Sequence, residues 1–156
     1  MMTTPKVCTC LWFDGDAEEA ARFYTSLLPD SRITSVARLD PDAAALTVDF
    51  TLGGTPYRAL NGGPKYKFTE AASITVMTKD QEETDRLWAA LIAEGGSESQ
   101  CAWLKDRFGL SWQIVPEGLP RLLSAPDRAA AERAMQAMLR MRKIDIAALE
   151  TAFRGP

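Results

Sequence analysis

Histidine is absent from all 156 residues. That removes the Ser-His-Asp and Cys-His nucleophile systems together with the commonest metal ligand. The residues left to do chemistry are few. Cys8, Cys10 and Cys101 are an odd number of thiols, and Cys8-Thr9-Cys10 puts two of them on one side of a strand without the further ligands a zinc site needs. They are expected to be reduced, buried structural thiols of a cytoplasmic protein. Asp49, on an alternating strand, is expected to face water or to pair with a neighbour such as Arg58 rather than to act as a general base. The carboxylate pairs Glu18-Glu19 and Glu82-Glu83 each follow an aspartate by two and three positions, which is helix-capping chemistry.

Eighteen basic and twenty-one acidic residues leave a net charge of −3. That balance implies no basic surface of the kind nucleic acid or anionic lipid demands. Apolar runs are too short to span a bilayer, and Met1-Met2-Thr3-Thr4-Pro5-Lys6 does not read as a secretory signal. Neither a membrane nor a nucleic-acid partner is therefore expected.

The elements that must position these residues follow from periodicity. Lys6 to Phe13 alternates as a strand, and Asp16 opens a helix with Glu19 as its reciprocal cap and Ala20, Phe23, Tyr24, Leu27 and Leu28 as its apolar stripe. Strand patterns follow at Ile33 to Leu39, Ala45 to Leu52 and Thr55 to Leu60, the last two joined by a Gly53-Gly54 hairpin. The order then restarts: a strand at Ala72 to Thr78, a helix opened by Asp80 and Glu83, and strands at Glu98 to Leu104 and Leu110 to Val115. A helix after Ser124-Ala125-Pro126-Asp127 turns Ala131, Met135, Met138 and Leu139 inward. Asp145 caps a last helix carrying Ile146, Leu149 and Phe153.

Shifted by 64 residues, the chain superposes on itself. Asp16, Glu18, Glu19, Arg22, Phe23, Tyr24, Leu27 and Leu28 fall on Asp80, Glu82, Glu83, Arg86, Leu87, Trp88, Leu91 and Ile92. Capping alone would match the acids, but not an arginine and an apolar stripe as well. The sequence thus reads as two tandem βαβββ units, at about 6–62 and 72–116, forming one domain over 1–123, with a helical extension over 124–156. Neither unit buries both faces of its sheet alone. The expected α+β fold is therefore a curved mixed sheet around a cleft, with helices on its other face.

Particular segments carry a resemblance. Leu11-Trp12-Phe13-Asp14-Gly15, Asn61-Gly62-Gly63-Pro64, Cys101-Ala102-Trp103-Leu104-Lys105-Asp106, Ser111-Trp112-Gln113-Ile114-Val115-Pro116 and Lys143-Ile144-Asp145-Ile146 together span nearly the whole chain. They resemble the PhnB-like branch of the vicinal oxygen chelate superfamily, which has the glyoxalase/bleomycin-resistance fold; the branch is also labelled 3-demethylubiquinone-9 3-methyltransferase-like. Ala102 departs from the branch, which has glycine there.

The resemblance implies a cleft where catalytic superfamily members hold a divalent metal through His, Gln or Glu on the first and last strands of each unit. Those positions correspond here to Thr9, Ala59, Ser73 and Gln113. Such a set is poor for a hard dication, which usually needs carboxylates, so no metal or other cofactor is expected. The cleft candidates are Thr9, Leu11, Phe13, Arg58, Asn61, Ser73, Thr75, Met77, Trp103 and Gln113, with Cys10, Trp12, Ile74, Val76, Trp112 and Ile114 turned to the helices. Arg58 and Asn61 at the rim would hold an anionic or carbonyl group, or be merely an exposed arginine beside a turn-forming asparagine. The four tryptophans are expected in the core, Trp103 being the one to border a pocket. The reading is a metal-free small-molecule binding module, and the resemblance implies a homodimer. The alternative is a lyase-like or dioxygenase-like enzyme with a non-standard metal site. Methyl transfer is not expected, because no Gly-rich turn follows the first strand of a doubly wound sheet.

Overall fold

The computed structural model describes residues 4–156; the reading of Met1, Met2 and Thr3 lies outside the described residues. The chain forms two compact units, the first ending at Phe68 and the second running from Thr69 to Pro156.

In the first unit, β1 (Thr9–Phe13), α1 (Ala17–Leu27), β2 (Arg32–Ala37), β3 (Thr47–Leu52) and β4 (Thr55–Asn61) follow in order. Gly53 and Gly54 both take positive φ between β3 and β4, as a two-residue hairpin requires. The sheet order is β1-β4-β3-β2, with β1 parallel to β4 and the other pairs antiparallel. Leu11, Val48, Phe50, Leu52 and Ala59 are buried, as are Ala17, Ala20, Ala21 and Tyr24 of α1. The Tyr24 ring lies 6.3 Å from Phe50, which stacks on Tyr57 at 5.5 Å.

The start of α1 differs from the expectation. Asp16 occupies the N-cap position, yet its side chain makes no capping bond. Asn61, at the end of β4, serves instead: its Oδ1 accepts from the Ala17 N–H at 3.0 Å and its Nδ2 donates to the Ala45 carbonyl at 2.8 Å. One side chain thereby satisfies an otherwise orphaned helix donor and ties three segments together.

The second unit repeats the plan with β5 (Ser73–Thr78), α2 (Gln81–Ile92), β6 (Ser97–Glu98), β7 (Trp103–Lys105) and β8 (Ser111–Pro116), in the order β5-β8-β7-β6. Asp80 accepts from the Glu83 N–H at 2.8 Å, while the Glu83 carboxylate reaches back to the Lys79 N–H at 2.8 Å, a capping box. Glu98 to Leu104 is not one strand. Cys101 and Ala102 take positive φ, 55° and 75°, and turn the chain between β6 and β7. Glycine would adopt that conformation freely; Ala102 is held there by 2.9 Å bonds from the Cys101 and Ala102 N–H groups to the carbonyls of Met141 and Arg142.

Three helices close the chain: α3 (Gly118–Leu123), α4 (Arg128–Met138) and α5 (Ile146–Arg154). Only the last two are legible from the sequence. Pro120 reads as a terminator, but it stands in the first turn of α3, where its missing N–H costs nothing. Asp127 and Asp145 cap the other two through the N–H groups of Ala130 and Ala148. Ala102, Leu119, Ile144 and Leu149 form a core beneath these helices, with Val115, Met138 and Met141 packed against it. Leu139 is exposed rather than inward, because α4 has already ended at Met138. Gln81 on α2 donates to the Ile144 carbonyl at 2.9 Å and accepts from the Ile146 N–H at 2.8 Å, so the C-terminal helices fold as part of the second unit.

Candidate functional site

Each sheet has one face packed on its helix and one turned away. In the second unit Ile74, Val76, Leu104, Trp112 and Ile114 are buried on the α2 side. Strand alternation therefore turns Ser73, Thr75, Met77, Trp103, Lys105, Ser111, Gln113 and Val115 away from α2. The first unit reverses the expected assignment. Thr9, Leu11 and Phe13 pair with Tyr57, Ala59 and Asn61 and share their α1-facing side, whereas Cys10 and Trp12 turn away from the helix with Asp49 and Arg58. Thr9, Leu11 and Phe13 are thus withdrawn as candidates for the face away from α1, and so is Ala59, which is fully buried. Asn61 is withdrawn as a ligand group because both ends of its amide are engaged with backbone.

The cause is one residue. The helices superpose at a shift of 64, but three residues separate Phe13 from α1 and only two separate Thr78 from α2. The extra residue is accommodated at Asp14-Gly15-Asp16, with Gly15 at φ +92°. It moves the strand by one position, and a one-residue slip exchanges the two faces.

On the face away from α1, Arg58 grips Asp49 with Nε–Oδ1 2.6 Å and Nη2–Oδ2 2.9 Å, the pairing expected for Asp49. Cys10, exposed rather than buried, lies across from Arg58. Desolvation pushes its thiol above the ordinary value, and the Arg58 charge offsets this only in part; such a thiol is a poor nucleophile near neutrality. All three cysteines are free, and Cys8 and Cys101 are half-buried.

Hydrogen bonding from Arg58 holds the Asp49 carboxyl below the ordinary range. A carboxylate with a depressed folded pKa stabilises fully above its unfolded value, about 3.9, and loses that contribution as pH falls through the lowered folded value. Both side chains are partly exposed, so solvent screening limits the pair to about 0.5–1 kcal/mol. Arg58→Met is expected to cost that much at neutral pH, with the gap to the parent closing as pH drops below roughly 4. Urea midpoints measured at several pH values check this; a pH-independent gap would remove the pair as the cause.

The face away from α2 is richer in polar groups. Gln113 Nε2 donates to Ser73 Oγ at 2.9 Å. Trp103 stands opposite Gln113 and Lys105 opposite Ser111. Lys105 is ion-paired to Glu70 and holds that carboxyl below its ordinary pKa. Ser111 is fully buried, and its Oγ has no hydrogen-bond partner. A cavity of about 210 Å³ is lined by Glu70, Ser97, Ser99, Trp103, Lys105 and Ser111, among others. A second cavity, of about 290 Å³, lies among Pro116, Leu119, Arg121, Ile146 and Glu150.

Glu70, Lys105 and Ser111 are not among the sequence-based candidates. Alternation back from Gln113 reaches Ser111, and forward from Trp103 it reaches Lys105, so the face of both was legible; Glu70 precedes the strand and had no such signal. Thr75 and Met77 are exposed on this face.

The donor set does not fit a resident hard divalent ion. Ser73 and Gln113 are neutral and bonded to each other, and Thr9 and Ala59 lie on the helix side of their own sheet. Among the described residues no three Cys, Asp or Glu side chains gather as a ligand group.

A mixed four-stranded sheet of order 1-4-3-2 with one covering helix, formed twice in one chain, defines a protein of the glyoxalase/bleomycin-resistance fold. Residues 5–115 match the 3-demethylubiquinone-9 3-methyltransferase family, and the chain belongs to it. It is similar to a putative 3-demethylubiquinone-9 3-methyltransferase, PhnB protein, from Bacillus cereus, with 31% identity over 72% of this chain and 99% of that one and a TM-score of 0.66. Protein PA1353 from Pseudomonas aeruginosa shares the fold at 22% identity, covering 73% of this chain and 98% of that one, with a TM-score of 0.59. Fosfomycin resistance protein FosX from Mesorhizobium loti does so at 13% identity, covering 73% and 92%, with a TM-score of 0.54. No curated protein matches the chain. The family match ends before α3. No helix among the described residues is long and apolar enough to cross a membrane.

Proposed function

We propose that the protein is a small-molecule binding module that works without a metal or other cofactor, as a cytoplasmic homodimer, and that its ligand sits on the face of the second sheet away from α2. The observation that carries this reading is the cavity beside Trp103, where an aromatic surface, the Lys105 ammonium and several hydroxyls converge. A largely concave surface with a few orienting polar groups suits small-ligand recognition. The polar groups of this face are hydroxyls, an amide, an indole and one ammonium paired with Glu70, which suit recognition of a small ligand. Methyl transfer finds no support: each sheet has one parallel and two antiparallel pairs, unlike the doubly wound parallel sheet of the common methyl-donor enzymes.

Native mass spectrometry of untagged protein, purified without chelator, tests the proposal. The expected result is a dimer mass with no metal and, where ligand survives purification, an added organic mass. One divalent ion per chain, lost on Gln113→Ala, would overturn the metal-free reading and return the protein to the enzyme class.

A further inference from the structure

The cavity beside Trp103 holds an imbalance of hydrogen-bonding groups. Buried hydroxyls are nearly always partnered in native proteins, and one left unpaired is destabilising; yet Ser111 Oγ is buried with no partner. The indole N–H of the half-buried Trp103 makes no hydrogen bond to the described residues and is open to water or a ligand. Lys105 brings a full positive charge to the position opposite Ser111. Against these donors stand two carboxylates. Glu98 is already engaged, accepting from Trp88 Nε1 at 2.8 Å and from Arg142 at 3.4 Å. Glu70 is engaged with Lys105 and with its own backbone N–H, through a side chain 63% exposed. The site is therefore donor-rich, and its one cation is held by a carboxylate that water can readily replace.

We propose that this cavity takes a small organic carboxylate, which draws Lys105 from Glu70, accepts a hydrogen bond from the Ser111 hydroxyl and lays its apolar body against Trp103. The inference rests on the small-molecule reading above and adds the ligand's chemical class. Glu70 is the internal stand-in: the group already on Lys105 is a carboxylate, so the ammonium is placed for one. At roughly 30 Å³ per water the cavity has the space of about seven waters, and benzoate is a suitable probe.

Benzoate, benzyl alcohol and phenyl phosphate are titrated into the full chain while the Trp103 indole N–H resonance, assigned with Trp103→Phe, is followed by NMR. Benzoate is expected to shift that resonance and benzyl alcohol to leave it in place. Lys105→Met should weaken benzoate by about tenfold or more, since a charge-assisted bond is lost. Glu70→Gln should tighten it roughly two- to fivefold by removing the competitor. Ser111→Ala should weaken it several-fold without lowering the melting temperature, a result that a purely structural serine would not give. Equal binding of benzyl alcohol, or benzoate binding indifferent to Lys105→Met, would overturn the carboxylate assignment while leaving a small-molecule site standing. Phenyl phosphate binding about tenfold tighter than benzoate, with the same Lys105 dependence, would overturn it in favour of phosphate. No shift with any of the three would overturn the site itself, whereas the small-molecule reading as a whole stands or falls on the retained mass.

Discussion

Asp106→Ala is expected to destabilise the second unit by about 3–5 kcal/mol, because it strands several buried donors at once. Asp106 is 2% exposed. Its Oδ1 accepts from the N–H groups of Phe108 at 2.9 Å and Leu110 at 3.0 Å, and its Oδ2 accepts from Trp112 Nε1 at 2.9 Å. One carboxylate thus sets the turn between β7 and β8 and pins the largest fully buried side chain of the core. Each orphaned donor costs about 1–3 kcal/mol, and the three share one geometry, so their costs do not simply add. Asp106→Asn keeps the size but offers a single acceptor oxygen, and a smaller loss is expected. Urea unfolding of the three proteins, read by tryptophan fluorescence, checks this. An alanine variant within about 1 kcal/mol of the parent would mean that water replaces the carboxylate in the turn. Because Lys105 and Ser111 flank that turn, their register with each other depends on it as well.

Gly62→Ala carries the second large effect. A Cβ at Gly62 would lie 2.3–2.6 Å from three ring atoms of Trp12, closer than non-bonded carbons approach. The indole cannot simply swing away without loss: its Nε1 donates to the Gly63 carbonyl at 2.8 Å, and it forms a T-shaped pair with Tyr66 at a centroid distance of 5.0 Å. Overpacking of this kind costs about 1–3 kcal/mol, here with the broken indole hydrogen bond included. Near-UV circular dichroism should change with the displaced tryptophan. If the clash is the cause, Trp12→Leu should relieve much of the penalty, so that the double variant is more stable than the sum of single effects predicts. Strict additivity would place the role of Gly62 in its backbone alone.

These two cases show what kind of information the sequence carries. Asn61-Gly62-Gly63-Pro64 and the segment from Cys101 to Asp106 stand out in the sequence as a family pattern, but their reasons are tertiary. Asn61 reads as a turn former; it is the residue that caps a helix 44 positions earlier in the chain. Gly62 reads as flexible; it leaves room for an indole. Capping at Asp80, Asp127 and Asp145, the Gly53-Gly54 hairpin and the two-fold repetition of the units were all legible, because each depends on neighbours a few residues apart or on a repeated pattern. α3 was not, because proline at its first turn looks the same as proline beyond a helix end.

The candidate site divides in the same way. Periodicity of two tells which side chains of a strand share a face, and it grouped Ser73, Thr75 and Met77 correctly, as it grouped Thr9, Leu11 and Phe13. It does not tell which of the two faces meets the helix. In the second unit the apolar residues are segregated strongly enough to decide. In β1 the two faces, Thr9-Leu11-Phe13 and Cys10-Trp12, are nearly equal in apolar character, and the choice fell to the length of the connection at Asp14-Gly15-Asp16. By itself, then, the sequence determined the family, the repeated βαβββ plan and the membership of each face. The tertiary structure alone decided which face packs on α1, which asparagine serves a helix, and which serine is buried without a partner, because each of these turns on contacts between segments that local pattern does not bring together.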